Sequence, residues 1–436
     1  MIQIMKRDLY TALLKWKTSK TRKPLILRGA RQVGKTHLLK AFGETEYSNM
    51  VYLNFEKDAG LAGFFAGSLE PKDILVALRN YKRQKIEARN TLLIFDEVQE
   101  CATALNSLKY FFEEAPEFHI VAAGSLLGVK LSSDKGFPVG KVNFLELFPM
   151  SFFEFLDAAE RPLYRQMLEE ISSPNPVPEP IHHELIELIR TYLFVGGMPE
   201  AVARYINNKE LQSVREIHHE ILKAYSLDFA KHAPKTLIAK ITAVWESIPS
   251  QLARENKKFM FSAIRQSARG RDYEDAIVWL ADAGLILRCF HLSAPRLPLS
   301  GYKNSDAFKV FSLDVGLLST MSHVPISIAL QTNELFTEFK GALTENLAAQ
   351  LLMTRHLPLY YWTSNGSAEV DFIIEHEGQV FPLEVKSGMT SKHKSLQVYQ
   401  QKYNPSKVVR ASLNNLRKDG ELLNIPLYFI ERILAI

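Results

Sequence analysis

The run PLILRGARQVGKTHLLKAF, residues 24–42, constrains the fold of this chain more than any other stretch. An apolar strand enters G-x-x-x-x-G-K-[ST], from Gly29 to Thr36, and a helical pattern leaves it, the context in which this spacing cradles phosphates. Gly29 and Gly34 let the backbone through Ala30, Arg31, Gln32 and Val33 curl until its N–H groups face inward. The helix that opens with Lys35, Thr36 and His37 adds its positive end. Lys35 is expected to reach the β- and γ-phosphates of ATP and Thr36 to ligate Mg²⁺. A strand that passes directly into a helix in this way belongs to an α/β fold.

The second half of such a site follows in TLLIFDEVQE, residues 91–100, a buried apolar strand ending in Asp96 and Glu97. The interval leaves room for MVYLNFE, residues 50–56, as a further strand. Asp96 is placed to hold the Mg²⁺ shell, and Glu97 to orient or deprotonate the attacking water. Acidic residues also mark ordinary strand ends, and it is the preceding P-loop that gives this pair its weight. A later strand, FHIVAAGS, brings Ser125 to the same edge, either as a contact for the γ-phosphate or as a turn-forming serine.

Length and composition set the frame. The chain has 436 residues, 47% of them hydrophobic, enough to bury more than one core in two or three domains. No apolar run reaches the length of a membrane span, and the opening MIQIMKRDLYTALLKWK reads as an amphipathic helix, so a cytoplasmic location is expected. The two cysteines, Cys101 and Cys289, lie far apart without metal-binding spacing and should be buried and reduced. A net charge of +5 permits a nucleic-acid partner without demanding one.

Residues 171–180, ISSPNPVPEP, carry four prolines and read as a linker or surface loop. Beyond them, FSAIRQSARGRDYEDAIVWLADAGLILRCF reads as helix, tight turn, helix, strand, the outline of a winged helix-turn-helix. From 254 to 271, Arg254, Lys257, Lys258, Arg265, Arg269 and Arg271 outnumber Glu255, which suits weak DNA binding through the backbone. The helix that would enter the major groove begins with Asp272, Glu274 and Asp275. Phosphates repel these, so a solvated basic face or a packing module fits better than sequence-specific reading.

Residues 369–386, EVDFIIEHEGQVFPLEVK, fold back on themselves at Glu377-Gly378. A two-residue loop there sets Asp371 opposite Glu384 and Glu369 opposite Lys386, on the face away from Val370, Phe372 and Ile374. Facing carboxylates repel unless positive charge lies between them, which suggests either a metal ion or a solvated cluster paired by Lys386. In GALTENLAAQLL, Glu345 shares a helix face with Ala342, Ala348, Ala349 and Leu352, so it can lie close against a sheet.

GARQVGKTHLL, LLIFDEVQ, AAGSLL and FPMSFFEFL together resemble a group of bacterial and archaeal AAA-type ATPases with a C-terminal PD-(D/E)XK nuclease-like domain of unknown function. FVGGMPEAV, FKVFSLDVGLL and GALTENLAAQLL extend the resemblance over nearly the whole chain. Where that family usually has Gly-Arg, this chain has Gly140-Lys141. The resemblance implies a P-loop AAA-type core over residues 1–165, a helical, winged-helix-like middle over 166–325, and a restriction-endonuclease-like α/β domain over 326–436. It also implies that Glu345, Asp371, Glu384 and Lys386 form the nuclease constellation, with Asp371 and Glu384 holding Mg²⁺. The expected activity is Mg²⁺-dependent ATP hydrolysis coupled to conformational change. The alternatives are a non-hydrolytic switch for a protein partner and an ATP-regulated metal-dependent DNA nuclease; among partners, a homo-oligomer would let a neighbouring copy complete the nucleotide site.

Overall fold

The structure is a computed structural model, and it describes residues 5–125, 140–254, 257–326, 337–364, 368–388 and 394–436. By compactness the chain forms two units, 1–148 with 282–284, and 149–281 with 285–436.

The first unit alternates strands and helices. Helix Leu9–Thr18 precedes β1 (Leu25–Arg28), helix Lys35–Glu46, β2 (Asn49–Asn54), helix Pro71–Lys82, β3 (Thr91–Asp96), helix Ala102–Glu114, β4 (His119–Ala123) and β5 (Asn143–Glu146). The sheet order is β2-β3-β4-β1-β5 with every pair parallel. β3 and β4 are buried along their whole length, as strands covered on both faces must be. Because β4 lies between β1 and β3, Ala123 at its end pairs with Leu27 on one side and Asp96 on the other. That register brings the P-loop, the Asp96-Glu97 pair and Ser125 to one sheet edge. The MVYLNFE strand forms as β2, beside β3 at the sheet margin.

The second unit begins with helices Phe152–Ala158, Pro162–Glu170, Glu179–Val195, Pro199–Asn208, Leu211–His232, Ile238–Leu252 and Gly270–Asp282, then β6 (Ile286–Leu292), β7 (Lys303–Ser312) and helix Val315–Met321. It continues with helix Thr337–Thr354, β8 (Tyr360–Thr363), β9 (Glu369–Val370), β10 (Phe372–His376), β11 (Gln379–Val385), helix Lys394–Tyr403, β12 (Val408–Ser412), β13 (Arg417–Asp419) and β14 (Leu422–Pro426). One sheet has the order β7-β6-β8-β9 and the other β10-β11-β12-β14-β13. The boundary expected near 326 therefore separates no two compact bodies, because β6 and β7 share a sheet with β8 and β9.

Three local expectations change. The proline-rich 171–180 stretch is tied down: Asn415 accepts from Val177 N at 3.0 Å and donates to its carbonyl at 2.7 Å. The first helix of the winged-helix outline contracts to the short turn Phe261–Ala263, while the second forms as Gly270–Asp282. Helix Thr337–Thr354 is buried on all sides from 342 to 352 rather than on one face. Its polar residues are satisfied inside: Asn346 exchanges two hydrogen bonds with the Ser312 backbone, and Gln350 bonds Val315 N, Asp314 and the Tyr192 hydroxyl. Among the described residues no helix is long and apolar enough to cross a membrane. Both cysteines are buried thiols, as expected.

Candidate functional site

The P-loop has the backbone its glycines permit. Gly29 lies at φ 147° and Gly34 at φ 95°, and a Cβ on Gly29 would sit 2.2 Å from the Leu147 carbonyl oxygen. Lys35 is buried, and its ammonium donates to the carbonyls of Gly29 at 2.9 Å and Ala30 at 2.7 Å. Burial pulls its pKa down to about 8, against the opposing pull of Glu97 and Asp96. Thr36 Oγ1 donates to Asp96 Oδ2 at 2.8 Å, so the two residues expected at a Mg²⁺ ion already touch. Of the remaining loop residues, Ala30 and Val33 are buried, Arg31 is half-buried, and Gln32 and His37 are exposed.

Glu97 follows β3 in a left-handed conformation, φ 51°, and its Oε2 accepts from the Gln99 amide at 2.6 Å. Ser125 is buried just beyond β4. Three participants were not legible in the sequence. Tyr52, on β2, donates to Asp96 Oδ2 at 2.6 Å, and Lys40 lies over its ring. Gln99 holds Glu97. Arg7, buried ahead of the first helix, donates to Val33 O at 2.8 Å and Phe148 O at 2.6 Å. Lys141, at the place of the family's arginine, pairs with Glu113 at 3.0 Å.

The C-terminal hairpin has the expected register: Phe372 faces Leu383, Ile374 faces Phe381, and Glu377-Gly378 turn with φ 47° and 75°. The ladder stops at Phe372, however. The chain bends at Asp371, and Glu369–Val370 pair with β8, so Glu369 turns away from Lys386. Its partner is Lys309, fully buried on β7, at 2.5 Å, and Lys309 also lies 3.7 Å from Glu345. Lys257, expected on a DNA-facing surface, instead pairs with Glu345. Lys386 pairs with Glu384 at 2.6 Å, and Asp371 Oδ2 accepts from Val385 N at 2.8 Å.

Glu345, Asp371, Glu384 and Lys386 thus share one electrostatic neighbourhood with two lysines that the hairpin alone did not reveal. Lys309, Glu345, Asp371 and Glu384 are buried, while Lys257, Glu369 and Lys386 are half-buried. Burial, followed by the charge of Glu345, pushes Asp371 up to about 7. Burial would raise Glu345 too, but Lys257 and Lys309 outweigh it and hold that carboxyl low. Among the described residues no group of three or more His, Cys, Asp or Glu side chains is arranged to hold a metal ion. The carboxylates reach lysines and a backbone amide, while one oxygen each of Glu345 and Glu384 is buried without a hydrogen-bond partner.

The polar motifs between these sites form a buried network. Asp314 caps helix Val315–Met321 by accepting from Leu317 N at 3.0 Å, and it also accepts from Gly197 N at 2.6 Å and Gln350 at 3.2 Å. A Cβ on Gly196 would sit 2.2 Å from the Asp314 carboxylate. FVGGMPE, SLDVG and the 337–354 helix therefore meet at one carboxylate.

Comparison with known proteins divides the chain in three. Residues 21–156 match the family described as AAA domain, while 186–327 and 340–429 match two domains of unknown function, DUF8612 and DUF4143. Uncharacterized proteins of Mycobacterium bovis and Mycobacterium tuberculosis are each 34% identical over 91 residues, 21% of this chain and 20% of the relative. The match thus spans about a fifth of those relatives. Among solved structures, the Walker-type ATPase PABY2304 of Pyrococcus abyssi is similar at 14% identity, covering 73% of this chain and 95% of that one with a TM-score of 0.46. The Aeropyrum pernix ORC2 protein, solved in ADPNP-ADP complexes, is similar at 16% identity, 78% and 93% coverage and a TM-score of 0.35. The segment from 21 to 156 thus combines strand–P-loop–helix geometry with a match to the family described as AAA domain.

Proposed function

We propose that the chain is a Mg²⁺-dependent ATPase whose nucleotide cycle changes the posture of its C-terminal segment, and that the basic run 254–271 in its middle region engages nucleic acid weakly through the phosphate backbone. The observation that carries the ATPase reading is Thr36 hydrogen-bonded to Asp96 beside a left-handed P-loop. The loop N–H groups and Lys35 would grip the phosphates. A phosphate oxygen can replace the Gly29 and Ala30 carbonyls as the acceptor for the Lys35 ammonium. Mg²⁺, held from Thr36 and Asp96, would neutralise phosphate charge. Tyr52 fixes the Asp96 carboxylate, and Glu97 would draw the proton from the attacking water.

The nucleic-acid part rests on Arg254, Lys258, Arg265, Arg269 and Arg271, which lie on exposed positions. The nuclease-like reading keeps the constellation of Glu345, Asp371, Glu384 and Lys386 as a charged platform, with no cleavage step through a metal. The hydrogen bond from Gln99 to Glu97 favours a second reading, a nucleotide-gated switch without turnover for a protein partner or a second copy, because it occupies a carboxylate oxygen that would otherwise face the attacking water.

Phosphate release by the purified chain separates these readings. Lys35→Ala should abolish ATP binding, whereas Glu97→Gln should bind ATP as wild type does and lose hydrolysis by about 100-fold or more. Tight binding by wild type with negligible phosphate release, with or without DNA, overturns the ATPase reading in favour of the switch.

A further inference from the structure

Arg7 lies outside every motif, yet two of its nitrogens end on the frame of the phosphate loop. Nη1 donates to the Val33 carbonyl at 2.8 Å and Nη2 to the Phe148 carbonyl at 2.6 Å, and the side chain is buried. Val33 and Gly34 share one peptide plane. In a trans peptide the C=O and the next N–H point in opposite directions. An arginine that holds the Val33 oxygen on the outside of the loop therefore turns the Gly34 N–H toward the inside.

That plane needs an external hold. Gly34 sits at φ 95°, has no Cβ to limit rotation, and is followed at once by the helix. The other end of the loop is braced by the same stretch that follows β5: Leu147 N donates to Arg28 O at 2.8 Å, and the Leu147 carbonyl closes over Gly29. Phe148, the next residue, is the second acceptor of Arg7. The exit of β5 thus supports the loop at Gly29 directly and at Val33 through the guanidinium.

We infer that Arg7 is a positioning residue for nucleotide binding, holding the Val33–Gly34 peptide so that its N–H is aimed at the β-phosphate of a nucleoside di- or triphosphate. The inference rests on the ATPase reading and adds to it a residue 22 positions before the motif begins. The planar guanidinium suits the task, since it serves two carbonyls at once with fixed geometry, whereas an ammonium is a point donor.

The test is equilibrium binding of ADP and of ATP, each with Mg²⁺, to the full chain. Arg7→Ala should weaken both by about tenfold or more, the equivalent of one lost charge-assisted hydrogen bond. Loss should be equal for the two ligands because both carry the β-phosphate. Turnover at saturating ATP should fall less than affinity does, because Arg7 acts on phosphate binding rather than on water. Arg7→Lys should restore part of the affinity, and it carries the test should the alanine variant not fold. Tyr10→Phe removes the hydrogen bond from the adjoining helix to Glu46 and should leave nucleotide affinity unchanged. Wild-type affinity in the Arg7 variants, or an equal loss in Tyr10→Phe, overturns the inference alone. A wild-type chain that binds neither nucleotide overturns the ATPase reading and the inference together.

Discussion

The P-loop and the C-terminal carboxylate cluster both bury an ammonium, but they satisfy it differently. Lys35 rests on two neutral carbonyls of its own loop, and burial lowers its pKa to about 8. Lys309 sits against Glu369 and Glu345, and although burial opposes the charge, those carboxylates raise its pKa. The first is a charge waiting for a better partner, and the second already has its partners. A binding site needs polar groups whose present bonds are cheap to exchange, whereas a structural cluster needs bonds that are costly to break.

The largest effect should come from removing the ammonium of the carboxylate cluster. Lys309→Met leaves Glu369 and Glu345 short of a buried cation and should lower stability by about 3–5 kcal/mol in urea unfolding. Lys35→Met should cost little or even stabilise, since the buried ammonium rests on the neutral carbonyls of Gly29 and Ala30. Comparable losses in both variants would erase the distinction. Next in size is ligand linkage: ADP or ATP with Mg²⁺ at about 100 times Kd should stabilise the wild type by about 2.7 kcal/mol and Lys35→Met not at all, read by thermal melting.

Asp314 sharpens the contrast with a carboxylate that has backbone donors rather than lysines. Burial pushes its pKa up to about 6, against the pull of the Gly197 and Leu317 amides. A carboxyl whose folded pKa lies above its unfolded value holds a proton in the folded state that the unfolded chain has released. The Asp314 contribution to stability should therefore fall as pH rises from about 4 to about 6, by up to about 1.4 kcal/mol per pH unit, and level off above. Asp314→Asn should remove that part of the slope in urea titrations across this range. The smallest effect should be that of Mn²⁺ without nucleotide: with lysines already on the carboxylates, it should add less than about 0.5 kcal/mol. A larger gain that Asp371→Asn abolishes would establish a metal centre and place the two sites in one class.

The backbone of the candidate nucleotide site was legible because its residues are contiguous: glycines, lysine and threonine lie in one loop that local spacing defines. Asp96 was legible because a buried strand ending in acid after a P-loop leaves few other uses for it. Tyr52 and Arg7 were not, since each reaches the site through strand order or through the supporting backbone, neither of which a local pattern carries. The hairpin register followed from side-chain alternation and its turn. Its charge pairing did not, because Lys309 comes from β7 and Lys257 from the stretch before it. The basic run from 254 to 271 looked like one surface, yet Lys257 belongs to a buried ion pair.

The sharing of one sheet by β6, β7, β8 and β9 bears on how such a chain can be inherited. Two families meet between 327 and 340, where a recombination event would seem to cut between modules. A cut there leaves β8 without β6 beside it and leaves Glu369 and Glu345 without Lys309. Neither half keeps a neutral core, so a shuffled gene would lose both. The segments before and after that point are therefore one structural unit carrying two family matches, and an exchange that kept the fold would have to carry Lys309 and Glu369 together.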